Sequence, residues 1–234
     1  DLYGEFRLAE LIEKISDVPG VQWIRLHYAY PAKFPYDILR VIRERDNVCN
    51  YLDIALQHVS DPVLQRMRRN VSSQETTELI RRIRDEVPGI HLRTTLLTGF
   101  PGESEADFEA LMNFVKTMRF ERMGAFPYSE EEGTYSALHY DDDIPFEVKQ
   151  ARVDQLMEIQ QQISEELNRA KIGSVLRVII DREEGDCYVG RTEFDSPEVD
   201  PEVLISKNKI LNIGEFYEVK IVDAEAFELM GEVL

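Results

Sequence analysis

The sequence predicts an α/β protein, in which a parallel sheet with crossover helices is followed by a small five-stranded β-barrel of OB-like type. In the first part of the 234 residues, apolar runs alternate with amphipathic segments, an order typical of strands joined by helices. In the last part, five short β-rich runs are separated by charged, glycine or proline segments. We place the domain boundary after residue 167, which gives domains of 1–167 and 168–234.

Periodicity and end signals predict the elements of the first domain in chain order. Apolar residues three and four positions apart predict a helix from Arg7 to Ile15, and the run VQWIRLHYA predicts a strand. Ser72 and Glu75 form a capping-box pattern ahead of a helix that Pro88 and Gly89 end. The remaining elements are a helix at about 36–45, a strand at 51–57, a helix from Ser60 or Asp61 with Pro62 in its first turn, a strand at 92–98, a helix at about 105–118 and a strand at 121–129.

The second domain follows a long helix that Pro145 opens and Gly173 ends. The β-rich runs after it are SVLRVIIDRE, DCYVGRTE, EVLIS, EFYEVKIVDA and FELMGEVL. Five strands in so short a stretch predict a small closed barrel.

Composition limits the function classes. The formal net charge of -18 repels phosphate backbones, so nucleic acid is disfavoured as the main partner, and it either favours a cationic partner or simply maintains solubility. No apolar run is long enough to span a bilayer, so we expect a cytoplasmic protein without a membrane segment. Cys49 and Cys187 are far apart in sequence, which predicts two ordinary thiols and no metal site. The opening DLYGEFRLAEL, without a methionine, suggests a fragment of a longer protein.

The segment LRTTLLTGFPGES, residues 92–104, joins a predicted strand to a predicted helix. Gly99 and Gly102 let the backbone approach a ligand or adopt positive φ, and Ser104 can cap the next helix. Ligands of parallel sheets bind beyond the carboxyl ends of the strands, where this loop lies. The alternative is a tight turn that holds no ligand. The spacing matches neither a Walker loop nor a GxGxxG fingerprint, which argues against a nucleoside triphosphate or NAD as the ligand.

Other polar residues gather at the same predicted rim. Gln57 and His58 follow the run LDIAL, and His27 follows VQWIRL, although a histidine near a strand end is more often structural than a ligand. Arg93, early in its strand, forms either a buried salt bridge or a contact to a substrate carboxylate. The convergence of these groups predicts a binding site at the rim.

Five motifs in order resemble those of the RimO-type methylthiotransferases, which are radical S-adenosylmethionine enzymes: WIRLHYAYP, LDIALQHVSD, LRTTLLTGFPGESEADF, RMGAFPYSEEEGT and GRTEFDSPEVDPEVLI. The resemblance implies a partial TIM-like barrel of parallel strands that binds S-adenosylmethionine at the strand ends, followed by a TRAM domain. It also implies two 4Fe–4S clusters and transfer of a methylthio group to the β-carbon of an aspartate of ribosomal small-subunit protein twelve.

On this resemblance, Gln57, Arg93, Gly99 and Gly102 are the candidate cofactor-binding residues. The family binds one cluster through CxxxCxxC and the other through three further cysteines, and this chain has neither set. We therefore expect no catalytic or metal-binding residue in this chain, and no activity from it alone.

The sister MiaB-type enzymes modify tRNA, and charge bears on the choice of substrate. Residues 168–234 contain eight Lys plus Arg against fifteen Asp plus Glu, whereas a barrel that binds RNA needs a basic groove. A basic ribosomal protein is therefore the preferred substrate. Asp195, Glu198 and Asp200 are candidate docking residues, with an ordinary acidic surface loop as the alternative. A non-catalytic acidic docking module is the remaining function of a different class.

Overall fold

The computed structural model describes residues 4–234, and its contacts divide the chain into two compact units, Asp1–Gln160 and Gln161–Leu234. The division falls within the long helix α7, Phe146–Arg169. The domain boundary after residue 167 stays a prediction. Within residues 4–234, no helix combines the length and apolar character needed to cross a membrane.

The first unit contains a four-stranded parallel sheet in the order β1-β2-β3-β4, which confirms the predicted alternation of strands and helices. Its elements are α1 (Leu8–Ser16), β1 (Ile24–Ala29), α2 (Asp37–Glu44), β2 (Val48–Gln57), α3 (Asp61–Arg66), α4 (Ser73–Glu86), β3 (His91–Thr98), α5 (Glu105–Met118), β4 (Arg122–Pro127) and α6 (Tyr135–His139), followed by α7. The short helix α6 was not predicted.

The two faces of the sheet differ in burial, as β3 illustrates. Leu92 and Leu96 are fully buried, and Arg93 and Thr95, which alternate with them, are half-buried on the other face. Asp53 of β2 lies opposite Arg93 in the strand register. One face therefore packs into the apolar core, and the other carries polar side chains.

Capping boxes fix the residues at which helices α4 and α5 begin, and so where the loops before these helices end. Ser72 and Glu75 form the predicted capping box at the start of α4. Ser104 caps α5, and Asp107 completes a second capping box there. Each box satisfies backbone N–H groups of the first helical turn, so these helices begin at defined residues.

The second unit contains a closed barrel in the order β5-β6-β7-β9-β8, which confirms the predicted five-stranded barrel. Its strands are β5 (Val175–Glu184), β6 (Cys187–Thr192), β7 (Glu202–Ser206), β8 (Phe216–Ala224) and β9 (Glu228–Val233). The β7–β9 pair is parallel, and the other pairs are antiparallel. The interior is filled by fully buried aliphatic side chains, among them Val178, Ile180, Val203, Val219 and Ile221.

Candidate functional site

A cavity of about 300 Å³ opens at the carboxyl ends of β2 and β3. This arginine pocket, as we call it, is lined by Gln57, Arg66, Arg68, Arg69, Phe100 and Tyr135, together with neighbouring residues. It lies where ligands of parallel α/β sheets bind. Gln57, the last residue of β2, has a φ of 70°, in the left-handed region that few non-glycine residues adopt.

The end of helix α3 places the three arginines at the pocket. The N–H of Arg68 donates to the carbonyl of Gln65, and the N–H of Arg69 donates to that of Leu64. Arg68 has a φ of 58°. This is the Schellman arrangement, in which the left-handed position is usually a glycine. An arginine here costs roughly 1–2 kcal/mol of backbone strain relative to glycine.

Each arginine of the pocket contacts an aromatic ring. Arg66 lies 4.2 Å from the ring centroid of Tyr140, and Arg68 lies 4.3 Å from that of Tyr135. Arg69 lies 4.8 Å from the ring centroid of Tyr30. These contacts hold the planar guanidinium groups against ring faces and restrict their rotation.

Backbone carbonyls hold two of the arginines. Arg66 Nε donates to the carbonyl of Pro101 over 2.8 Å, and Arg69 Nη2 donates to that of Ala55 over 2.6 Å. Burial lowers the pKa of Arg69, whose Nε is buried and has no hydrogen-bond partner within the described chain. Within residues 4–234, none of the three arginines lies within salt-bridge distance of a carboxylate.

The GFPGES loop is shaped by side chains of its own unit. A Cβ on Gly99 would lie 2.2 Å from Cγ of Lys149, and one on Gly102 would lie 2.8 Å from Cζ of Arg66. The Gly99 N–H donates to Glu103 over 2.6 Å, and the Gly102 N–H donates to Asp143 over 3.1 Å. Both amides are thus already bonded to carboxylates, and Phe100, between the two glycines, is the loop residue that lines the pocket.

A buried ionic cluster lies behind the loop. The Glu103 carboxylate accepts from Arg152 Nη1 over 2.8 Å, and its Oε2 lies 3.7 Å from Nε2 of His58. Burial raises the pKa of Glu103, and the Arg152 guanidinium opposes this shift. Burial, assisted by Arg152, lowers the pKa of His58 to about 4, so this histidine is neutral at pH 7. Its Nδ1 accepts from the N–H of Ser60, which indicates a structural role.

Arg93 lies apart from the arginine pocket, on the polar face of the sheet. Its Nη1 is 3.5 Å from Oδ2 of Asp53, which is also 3.8 Å from Nδ1 of His27. Of the two interpretations of Arg93, the geometry supports the salt bridge. His27 also lines a separate groove of about 840 Å³ along the edge strand β1, with Tyr28 and Tyr30.

The predicted docking acids of the barrel unit differ in accessibility. Asp195 has no exposed surface, and its carboxylate accepts from the Thr192 hydroxyl over 2.5 Å, so it cannot contact a docked protein. Asp200 is half-buried, and its Oδ2 accepts from the N–H of Ser196. Glu198 is exposed, with a φ of 67°. Of the three residues, Glu198 is the one that is open to a partner.

Of the four predicted cofactor-binding residues, Gln57 lines the pocket, Gly99 and Gly102 flank it, and Arg93 lies outside its lining. The sequence reasoning did not identify Arg66, Arg68 and Arg69. The signal was present in the run QRMRR, a local cluster of positive charge in an acidic chain. In the part of the chain that the structure describes, no group of three or more His, Cys, Asp or Glu could hold a metal ion.

Comparisons with known proteins agree with this architecture. Residues 1–115 match the family model described as the radical SAM superfamily, and residues 172–234 match the TRAM domain. Radical SAM enzymes use S-adenosylmethionine with a 4Fe–4S cluster. Among solved structures, coproporphyrinogen III oxidase (HemN) from Escherichia coli, a radical SAM enzyme, has a TM-score of 0.53 at 14% identity, over 80% of this chain and 50% of that one. At this identity the likeness concerns the fold alone.

Curated relatives are much more similar. The ribosomal protein uS12 methylthiotransferase RimO of Parabacteroides distasonis is 64% identical over 234 residues, which is 100% of this chain and 54% of the relative. The protein of the same name from Bacteroides thetaiotaomicron is 65% identical over 235 residues, with the same coverage. The chain spans about half the length of the curated relatives it matches. The chain therefore belongs to the RimO-type methylthiotransferase family of radical SAM enzymes.

Proposed function

We propose that this chain provides the cofactor-binding rim and the substrate-docking barrel of a cytoplasmic radical SAM methylthiotransferase that modifies ribosomal protein uS12. The observation that carries the proposal is the 64% identity to a uS12 methylthiotransferase over every residue of the chain. The reaction implied by the family resemblance is attachment of a methylthio group to the β-carbon of an aspartate.

The proposed cofactors are S-adenosylmethionine and two 4Fe–4S clusters, which together supply the radical chemistry. Cys49 and Cys187 are the two cysteines of the chain, too few for the three thiolates that either cluster needs. These residues therefore do not fit a cluster, and its ligands must come from another polypeptide segment. Gln57 and Arg93 present polar side chains at the strand ends and on the polar face of the sheet, which fits contact with the nucleoside cofactor. Gly99 and Gly102 would act indirectly, by shaping the loop that carries Phe100.

The charge distribution of the barrel unit supports a basic protein rather than tRNA as the substrate. Fifteen Asp plus Glu outnumber eight Lys plus Arg in residues 168–234, and several of these cations pair with acids, among them Arg182 with Glu202, Arg191 with Asp181, and Lys207 with Glu183. This excess of acids and these ion pairs reduce the positive charge that could attract phosphates, on which RNA affinity depends. The exposed Glu198 is the proposed docking acid of the loop between β6 and β7.

The test is an anaerobic assay of the full-length protein after reconstitution of its clusters. Mass spectrometry of uS12 and of tRNA from one mixed reaction would identify which substrate gains a methylthio group. We expect the modification on the uS12 aspartate. Modification of tRNA instead would reassign the protein to the MiaB-type enzymes, and no transfer to either would support a non-catalytic docking module.

A further inference from the structure

Two buried cations of helix α7, Lys149 and Arg152, contact the GFPGES loop at its two ends. The stem of Lys149 packs on Gly99, where a Cβ would lie 2.2 Å from the lysine Cγ, and the lysine carbonyl accepts from the Thr98 hydroxyl over 3.0 Å. Arg152 Nη1 donates to the carboxylate of Glu103 over 2.8 Å. Positions three apart share one face of a helix, so a single face of α7 contacts both ends of the loop. We call Lys149 and Arg152 the α7 pair.

The charged groups of the α7 pair are bonded within the first unit. The Lys149 ammonium donates to the carbonyl of Tyr128 over 3.2 Å and to the carboxylate of Asp142 over 2.6 Å. The Glu103 carboxylate accepts from Arg152 through Oε1 and from the first N–H of the loop through Oε2. The loop is therefore connected to α7, to the residue after β4 and to the segment before α7.

Buried ion pairs define a geometry more than they add stability. Removing two charges from water costs about as much free energy as their attraction returns, so apolar side chains of similar size would stabilise a fold equally well. Hydrogen bonds between charged groups have a defined direction, which apolar contacts lack. The side chains of Lys149, Arg152 and Glu103 are all buried. Their retention at the loop indicates that its conformation matters.

Phe100 is the loop residue whose position these contacts determine. It lies between Gly99 and Gly102, whose φ values are 71° and 81°, and it lines the cavity at the strand ends. Its ring lies edge-on to that of Tyr128, with 5.0 Å between the centroids. Glycines leave a backbone free to adopt other conformations, so such a loop needs outside contacts to keep one. A wall that is ordered in advance lowers the entropy cost of binding a ligand.

We propose that Lys149 and Arg152 are positioning residues of the cofactor site, which hold the GFPGES loop in the conformation that places Phe100 at the cavity. Neither member of the α7 pair lines the cavity, so both act through the loop. The assignment rests on the proposed function, which gives this rim to S-adenosylmethionine. It adds that affinity for the cofactor depends on two residues of α7 outside the rim.

The test uses the full-length protein after anaerobic reconstitution of its clusters. Equilibrium dialysis measures the affinity for S-adenosylmethionine, and hydrogen–deuterium exchange with mass spectrometry measures the opening of residues 98–104. The exchange reports on the loop itself, independently of methylthio transfer. Urea unfolding of each variant identifies those that keep the fold.

Two variants remove the charges of the α7 pair in different ways. Lys149→Met keeps an unbranched stem and removes the ammonium. The double variant Glu103→Gln/Arg152→Met removes both charges of the buried ion pair together, so that neither remains buried without the other. The matched control is Glu165→Gln/Arg169→Met, which neutralises a solvent-accessible ion pair of the same helix.

We expect Lys149→Met and the double variant to bind S-adenosylmethionine about tenfold more weakly, which is about 1.4 kcal/mol, because binding must then also order the loop. Exchange in residues 98–104 should be about tenfold faster, since the loop opens more often. Arg152→Lys should bind with intermediate affinity, because the charge remains without the planar fork. The control should keep the wild-type affinity and exchange.

Three results would overturn the assignment. Wild-type affinity in Lys149→Met or in the double variant would show that the residue replaced does not position the site. Weaker binding with unchanged exchange in residues 98–104 would place the effect outside the loop. If wild-type protein did not bind S-adenosylmethionine, the proposed function would fail and the assignment with it, whereas the first two results leave the proposed function intact. If the double variant does not fold, Lys149→Met decides with the same two measurements.

Discussion

Substitution of Gly99 by alanine tests whether the GFPGES loop is shaped by α7. The new Cβ would lie 2.2 Å from Cγ and 2.9 Å from Cδ of Lys149. Lys149 is buried, and its ammonium donates to the Asp142 carboxylate, so the stem cannot easily move away. Overpacking of this kind costs about 1–3 kcal/mol, and an alanine at a φ of 71° costs a further 1–2 kcal/mol or so. We therefore expect a loss of about 2–5 kcal/mol in the free energy of unfolding.

The assay is urea unfolding followed by the fluorescence of Trp23, the single tryptophan of the chain, which lies in the first unit. The matched control is Gly89→Ala, because Gly89 also has positive φ, at 83°, and a Cβ there would meet nothing within 4 Å. The control should lose about 1–2 kcal/mol from backbone strain alone. If Gly99→Ala were no more destabilising than Gly89→Ala, the argument from the Lys149 contact would be wrong.

Two further predictions concern the cluster behind the loop. Glu103→Gln should destabilise the protein by about 3 kcal/mol in the same urea assay, because it removes the buried one of the two carboxylates that pair with the buried Arg152. Glu105→Gln, which removes the exposed carboxylate, should cost under about 1 kcal/mol. The pKa of His58 is about 4 in the folded protein and about 6.5 in the unfolded chain. Between these pH values a proton binds His58 in the unfolded chain but not in the folded protein. The free energy of unfolding should therefore fall by about 3 kcal/mol as the pH is lowered from 6.5 to 4. His58→Asn should flatten this pH dependence, and an unchanged dependence would contradict the assignment of the loss to His58.

The order of elements was predictable because local signals encode it. The Ser72–Glu75 capping box and the Ser104 cap are set by residues three positions apart, and both are present in the structure. The parallel pairing of β7 with β9 was not predictable, since it depends on contacts between distant segments. Helix α6 was missed because it is only five residues long, too short for a periodic pattern.

The position of the site was easier to predict from the sequence than the residues that form it. The rim at the strand ends followed from the rule for parallel sheets, and Gln57 lies there. The arginines of the pocket were not predicted, because their convergence depends on how α3 ends. Arg68 has a left-handed backbone conformation there, which an arginine rarely adopts. The sequence suggested that Asp195 is an acid on the surface. In the structure Asp195 is buried and accepts a hydrogen bond from the Thr192 hydroxyl, and the sequence did not indicate this contact.

The most direct test of the central claim is the intact mass of uS12 from cells that carry or lack the gene for this protein. We predict that uS12 gains a methylthio group in the presence of the gene, loses it on deletion and regains it on complementation with the wild-type gene. Identical masses of uS12 in the two strains would contradict the assignment of this protein to uS12 modification.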